Sequence, residues 1–225
     1  MQLTYYGHSC FLLETKGTRL LFDPFISHNP KASHLSADSI QADFILVSHG
    51  HEDHIADCTH IAKKTNAPVI ASWEICQWLN KNGVTNTIPM NTGGSKQFEA
   101  FKVKCVVAQH SSSLPDGTYG GNPMGFVIYG EKNIYYAGDT ALTLDMQLIP
   151  RNGPMDCCVL PIGDHFTMGY EDASKAAHLI QCNKVIGVHY DTFPFIEIDH
   201  QSAKAHFSSN GLTLLLPDIG ETLDI

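Results

Sequence analysis

One six-residue run constrains this chain more than any other: His49-Gly50-His51-Glu52-Asp53-His54, three imidazoles and two carboxylates in one bend. The preceding run "ADFILVSH" reads as a buried strand, and the following "IADCTHIAKKT" reads as a helix from about Ile55 to Lys64. A turn between two such elements needs one or two polar residues, not five coordinating groups. His49 and His51 are two apart, so on extended backbone they point to the same side. Asp53 and His54 come after the chain bends and can face the same cavity from another direction. The segment can feed two neighbouring metal positions if other segments close the shells.

The rest of the chain supplies such segments at strand ends, where ligand and catalytic groups gather. His110 follows "CVVAQ", Asp139 follows "IYYAG", and His189 follows "KVIGV". Imidazole and carboxylate suit zinc, manganese, iron or nickel. Each of these residues taken alone reads as a surface or turn residue; together with the 49–54 run they share one placement that ordinary turns do not explain. His8, in "YGHSC", stands at the end of the first strand, where it either bonds a backbone carbonyl or contacts metal or substrate. His165, in "GDHFTM", follows a strand and is placed to meet a leaving group, with Asp164 beside it to orient an imidazole; alternatively the pair simply opens the next helix. His28, His34, His60, His178, His200 and His206 lack this context and read as solvated or structural.

Short β-rich runs, "QLTYY", "CFLLET" and "TRLLFD", open the chain. "PVIAS" leads into a helix, "WEICQWLNKN", capped by Ser72 and stopped by Gly83. A second block, "KQFEAFKVKCVVAQ", "MGFVIYG" and "NIYYAG", precedes the strand "DCCVLPI". The helix "EDASKAAHLIQC" follows, with Ala173, Ala176, Ala177 and Ile180 on its inner face, and Asp199 caps a last helix before Gly211. Strands first, then strand–helix pairs, occurring twice, predict an α+β architecture: two sheets face to face with helices outside. A chain of 225 residues with 43% hydrophobic content supports one domain over residues 1–225. The irregular stretches 23–38 and 110–123 suit walls or lids over the site, and the first also suits a contact between copies in a homo-oligomer. The glycines at 117, 120, 121 and 125 allow tight turns; without a following Lys–Ser/Thr pair they are not a phosphate cradle.

A net charge of −9 makes nucleic acid an unfavoured partner and leaves a small-molecule substrate. Seven cysteines without a CxxC spacing read as reduced core thiols. No basic leader opens the chain and no apolar run reaches a membrane span, so a cytoplasmic protein is expected.

The pattern H-x-H-x-D-H, standing as His49, His51, Asp53 and His54, resembles the signature of the metallo-β-lactamase fold superfamily, and His110, Asp139 and His189 match its later ligand positions. "YYGHSCFLLET", "HSSSLPDGTYGGNPMGFVI", "YYAGDTALTLDMQLI" and "LPIGDHFTMGYEDA" resemble the UPF0173 metal-dependent hydrolases, a group similar to the L-ascorbate-6-phosphate lactonases. The resemblance implies a four-layer αβ/βα sandwich and two divalent metals, zinc first and manganese, iron or nickel as alternatives. It assigns His49, His51 and His110 to one metal, Asp53, His54 and His189 to the other, and Asp139 to a bridge. Histidine at 54 favours two filled sites. Histidine at 51, where flavodiiron oxygen reductases carry glutamate, disfavours redox chemistry. The implied reaction is hydrolysis of a small ester, lactone or phosphodiester by a hydroxide shared between the metals, with Asp53 accepting a proton. A nuclease-type phosphodiesterase and a non-catalytic metal-binding or sensing protein are the competing readings.

Overall fold

Leu3 and Tyr5, and across a hairpin Phe11 and Leu13, point inwards while Thr4, Leu12 and Glu14 are more exposed, the two-residue period of a half-buried sheet. In the computed structural model, which describes residues 1–225, this pattern builds an antiparallel meander of β1 (Gln2–Gly7), β2 (Cys10–Thr15) and β3 (Thr18–Phe22). Parallel strands β4 (Phe44–Leu46), β5 (Val69–Ala71) and β6 (Thr87–Pro89) extend it. Helices α1 (Glu52–Ile55), α2 (Cys58–Thr65) and α3 (Trp73–Lys81) make the connections.

The second half repeats the plan. β7 (Ser95–Gln97), β8 (Lys102–Val107), β9 (Met124–Tyr129) and β10 (Asn133–Tyr136) are antiparallel. β11 (Cys157–Pro161), β12 (Lys184–Val188) and β13 (Thr213–Leu215) continue in parallel, joined through α4 (Tyr170–Ile180) and α5 (His200–Ser209). The last strand, β14 (Thr222–Asp224), returns to the first sheet and pairs antiparallel with β1. Each sheet has seven strands, in the orders β14-β1-β2-β3-β4-β5-β6 and β13-β12-β11-β10-β9-β8-β7.

The two inner faces interlock through aromatic rings. Phe22 stacks on Phe11 at 4.5 Å between centroids and meets Tyr136 of the opposite sheet edge-on at 5.5 Å. Ile61, Ile75 and Leu79 seat α2 and α3 on the outside of the first sheet. Ala173, Ala176, Ala177 and Phe207 seat α4 and α5 on the second. The layers therefore run helix–sheet–sheet–helix, the α+β sandwich of the metallo-β-lactamase type. The caps fall where the sequence puts them: Ser72 Oγ accepts the Ile75 N–H, and Asp199 accepts from Gln201 and Ser202. All seven cysteines are buried, unpaired thiols. No helix is long and apolar enough to cross a membrane.

Two expectations need correction. The helix expected from Ile55 to Lys64 is two, with α1 beginning at Glu52 and α2 at Cys58. Asp57 breaks it: its carboxylate accepts the N–H groups of Ile26 at 2.6 Å and Ser27 at 2.9 Å, which holds the irregular stretch after β3 against the helix pair. The run 96–109 is likewise two strands, and His110 stands beyond the end of β8 at Val107 rather than directly at it.

Because Phe22 contacts both sheets, Phe22→Ala is expected to cost about 3–5 kcal/mol of stability. Urea denaturation measures this; a loss below about 1 kcal/mol would show that the inter-sheet rings are not the mechanical centre of the sandwich.

Candidate metal centre

The two sheets bring their strand ends together along one edge, and irregular backbone aims the side chains. Beyond β10 the chain turns at Gly138, whose φ is +63° and where a Cβ would lie 3.0 Å from both the Met124 carbonyl and Ser48 Cβ. Only glycine makes that turn cleanly, and Asp139 follows it into the interior. His8, Asp23 and His189 have φ of 56°, 40° and 56°. Left-handed backbone costs a non-glycine residue about 1–3 kcal/mol and collects at functional sites. The His189 N–H donates to the His8 carbonyl at 2.8 Å, so the ends of β12 and β1, one from each sheet, are tied directly.

All seven residues assigned by the sequence converge. Asp139 Oδ2 lies 3.0 Å from His189 Nε2, 3.3 Å from His54 Nε2, 3.6 Å from His110 Nε2 and 3.9 Å from His49 Nε2. Asp53 Oδ2 lies 3.8 Å from Nε2 of both His54 and His189. His49 Nε2 faces His51 Nδ1 at 3.0 Å. Three groups of ligand atoms lie within 4.8 Å of one another: His49, His51 and His110; His8, Asp53, His54 and His189; and, behind these, Asp23 with His49 and His54. Asp139 reaches imidazoles of the first two. His49, His54, Asp139 and His189 are buried, whereas His51, Asp53 and His110 are half-buried and give the centre its open side.

His8 stands against Asp53, Nε2 to Oδ2 at 3.0 Å, and its Nδ1 meets Thr192 Oγ1 at 2.9 Å. Asp164 and His165 are not brought in. Both are exposed, the His165 ring stacks on Phe195 at 5.3 Å, and no hydrogen bond or ion pair joins either side chain to the cluster. Of the histidines set aside, His60, His200 and His206 bond Asp38, Asp191 and Ser174 away from the cluster.

The sequence reading missed Asp23, which it placed in a wall segment. Its fully buried carboxylate accepts from the Ser48 N–H at 2.7 Å, Ser48 Oγ at 2.5 Å, Tyr136 Oη at 2.5 Å and His54 Nδ1 at 2.8 Å. Ser48 Oγ, donating to Asp23, is left to accept from His49 Nδ1 at 2.9 Å. Both imidazoles are thereby held with Nδ1 protonated and Nε2 turned to the centre, the arrangement a metal-binding histidine requires. The available signal was an acid at the end of a strand, in "LLFDP", the same context that drew attention to Asp139.

Burial and mutual repulsion set the charges. His8 is pushed down to about 4 by burial and then by His189, against the pull of Asp53. His49 is pushed well below the usual imidazole range by burial and by His54. Burial also lowers His51 and His110. For His54 burial opposes the charge, but Asp139, Asp53 and Asp23 outweigh it and raise the group well above that range. Burial likewise opposes ionisation of Asp139, yet His189 and His54 hold it well below the usual carboxylate range. Asp53 is lowered by His54 and His8 against the same penalty.

A cation fits this cluster. His54 Nε2 and Asp139 Oδ1 are buried without a hydrogen-bond partner. Such groups are costly in an interior, and here they sit in the middle of a nitrogen and carboxylate-oxygen donor set that suits a divalent ion.

Comparison with known proteins places the chain in a family. The sequence profile of a family described as "Beta-lactamase superfamily domain" matches residues 2–189. A UPF0173 metal-dependent hydrolase of Methylacidiphilum infernorum is 50% identical over 224 residues, 99% of each chain. The chain belongs to the UPF0173 family of metal-dependent hydrolases. A family relative from Thermus thermophilus is 49% identical over 203 residues, covering 90% of this chain and 89% of that one. A solved structure, a metallo hydrolase from the archaeon Ignicoccus hospitalis, superposes with a TM-score of 0.88 at 32% identity, over 99% of this hydrolase and 97% of that chain.

Two outcomes follow. Asp23→Ala leaves Ser48, Tyr136 and the His54 Nδ1–H without their acceptor, so metal affinity is expected to fall about 10–100-fold in competition with a chelator. An unchanged affinity would mean that packing alone holds the imidazoles. In metal-free protein, His8 and its depressed neighbours titrate below the unfolded value. The unfolded chain then binds more protons, and stability falls as pH drops from 6.5 towards about 4. His54, whose folded value is raised, is protonated in both states through most of that window and adds only a small opposing slope near pH 6.5. His8 alone accounts for roughly 3 kcal/mol. Urea midpoints across the range should fall accordingly; a flat profile would contradict the burial of neutral imidazoles.

Proposed function

We propose that the cluster holds two divalent cations and hydrolyses a small ester, lactone or phosphodiester. His49, His51 and His110 hold one ion, Asp53, His54 and His189 the other, and Asp139 lies between them. The observation that carries this reading is Asp139 Oδ2, within 3.0–3.9 Å of four imidazole nitrogens drawn from both groups. The donor set favours zinc and is shared by manganese, iron and nickel. Such a pair of ions supplies, when bound, Lewis acidity and a water acidified to near-neutral pH.

The chain's own residues do the rest. Asp23 and Ser48 fix the tautomers of His54 and His49, so that no reorientation is needed when substrate arrives. Asp53, with a side chain 28% exposed, is the carboxylate nearest the open side, and it receives the proton released during attack. His8 Nε2, 3.0 Å from Asp53 Oδ2, holds the carboxylate in place, and Thr192 holds His8. Substrate enters past His51, Asp53 and His110. A small substrate is supported by the net charge of −9, which disfavours a long polyanion.

The test is hydrolysis of a panel of lactones, thioesters and phosphodiesters by protein reconstituted with zinc, manganese or nickel, alongside metal analysis. Turnover in one class is expected, with two ions per chain and a loss of more than about 100-fold in Asp139→Ala, beyond the range of changes outside the ligand shell. Full turnover with one ion per chain, or retained turnover in Asp139→Ala, would sink the reading.

A further inference from the structure

A second site lies away from the imidazoles, on the outer face of the second sheet. α4 and α5 cover part of that face, and the 3₁₀ segment Leu144–Asn152 packs Met146 and Ile149 onto Val127 and Tyr135. Between this segment and the outer side of β8 and β9 is a cavity of about 340 Å³. Val106, Val127, Tyr129, Tyr135, Met146 and Ile149 form its walls. Its size is within the range of small-molecule sites, roughly 300–1,000 Å³.

Two features show that water-free apolar packing is not what these walls are built for. Tyr135 is fully buried, and its hydroxyl has no hydrogen-bond partner. Tyr129, which lines the same cavity, also has a buried hydroxyl without a partner. Buried hydroxyls are normally bonded, and two failures in one wall mark a place where a ligand atom belongs.

The charge around the cavity gives the ligand's sign. Lys104 and Arg151 line it, and Lys102 Nζ lies 5.9 Å from the centre of the Tyr129 ring. The lysine and arginine side chains in ion pairs are Arg19 and Lys175, so none of these three cations is neutralised. Asp145 is the one acid in the lining. In a chain of net charge −9 this is a positively charged mouth on an apolar cavity.

We propose that this cavity binds an amphipathic organic carboxylate, its apolar body among Val106, Val127, Met146 and Ile149, its charge at Arg151 and Lys104, and a hydroxyl or carbonyl oxygen on Tyr135. The inference stands independently of the reaction proposed above.

Calorimetric titration of the metal-loaded protein with β-hydroxydecanoate tests it. Binding is expected, weakened about tenfold by Arg151→Glu and about tenfold by Tyr135→Phe, as loss of a charged or buried hydrogen bond implies. Tyr135→Phe should also raise the melting temperature of the ligand-free protein, because it removes an unpaired buried hydroxyl. That result separates a ligand contact from a merely structural tyrosine. Absence of binding, or binding that neither variant alters, as for a carboxylate captured at the metal centre, would overturn the proposal. So would a doubled mass by light scattering that Leu148→Glu restores to monomer, which would assign the face to a second copy of the chain.

Discussion

Two carboxylates surrounded by imidazoles inside a protein are unstable in isolation, and the arrangement that makes them tolerable governs the rest of this fold. Asp139 has lost nearly all contact with water, a penalty of several kcal/mol for an ionised group. His189 and His54 offset it at 3.0 and 3.3 Å. Burial drives His49 and His8 away from their charged forms, while Asp139, Asp53 and Asp23 outweigh burial at His54 and drive it towards its own. Such a balance holds only while the distances hold.

The sandwich holds them. The first sheet delivers the 49–54 turn, His8 and Asp23; the second delivers His110, Asp139 and His189. Neither sheet has a complete site. The seam between them is closed by contacts of the site itself, notably Tyr136 Oη on Asp23 at 2.5 Å and the His189 N–H on the His8 carbonyl at 2.8 Å. Close packing of Phe11, Phe22 and Tyr136 behind that seam makes it rigid, since a packed interior transmits small displacements instead of absorbing them. The two ligand groups are thus a property of the packed pair of sheets.

Much of this was legible in the chain. The 49–54 run, the strand ends at Asp139 and His189, the capping residues Ser72 and Asp199 and the alanine face of α4 all express local rules of spacing and propensity. What escaped depended on partners distant in sequence. Asp57 interrupts a helix that its own neighbours favour, because two N–H groups about thirty residues upstream require an acceptor. Asp23 looked like part of a loop, because its four donors come from Ser48, His54 and Tyr136. His165 looked like a site residue because it follows a strand, yet left-handed backbone at Asp164 and His165, φ of 60° and 56°, carries it out towards Phe195.

The sequence by itself determined which groups can coordinate, since residue type and two-residue or strand-end spacing are local quantities. It also determined the doubled strand–helix order that makes a two-sheet sandwich the economical way to bury the apolar faces. Only the tertiary structure decided that one carboxylate oxygen would meet four imidazoles, that Asp23 would set the tautomers of His54 and His49, and that two buried tyrosine hydroxyls would be left without partners beside a cavity on the far side. Each of those depends on distances between residues tens of positions apart, fixed by the packing of one sheet on the other and of helices on the sheets.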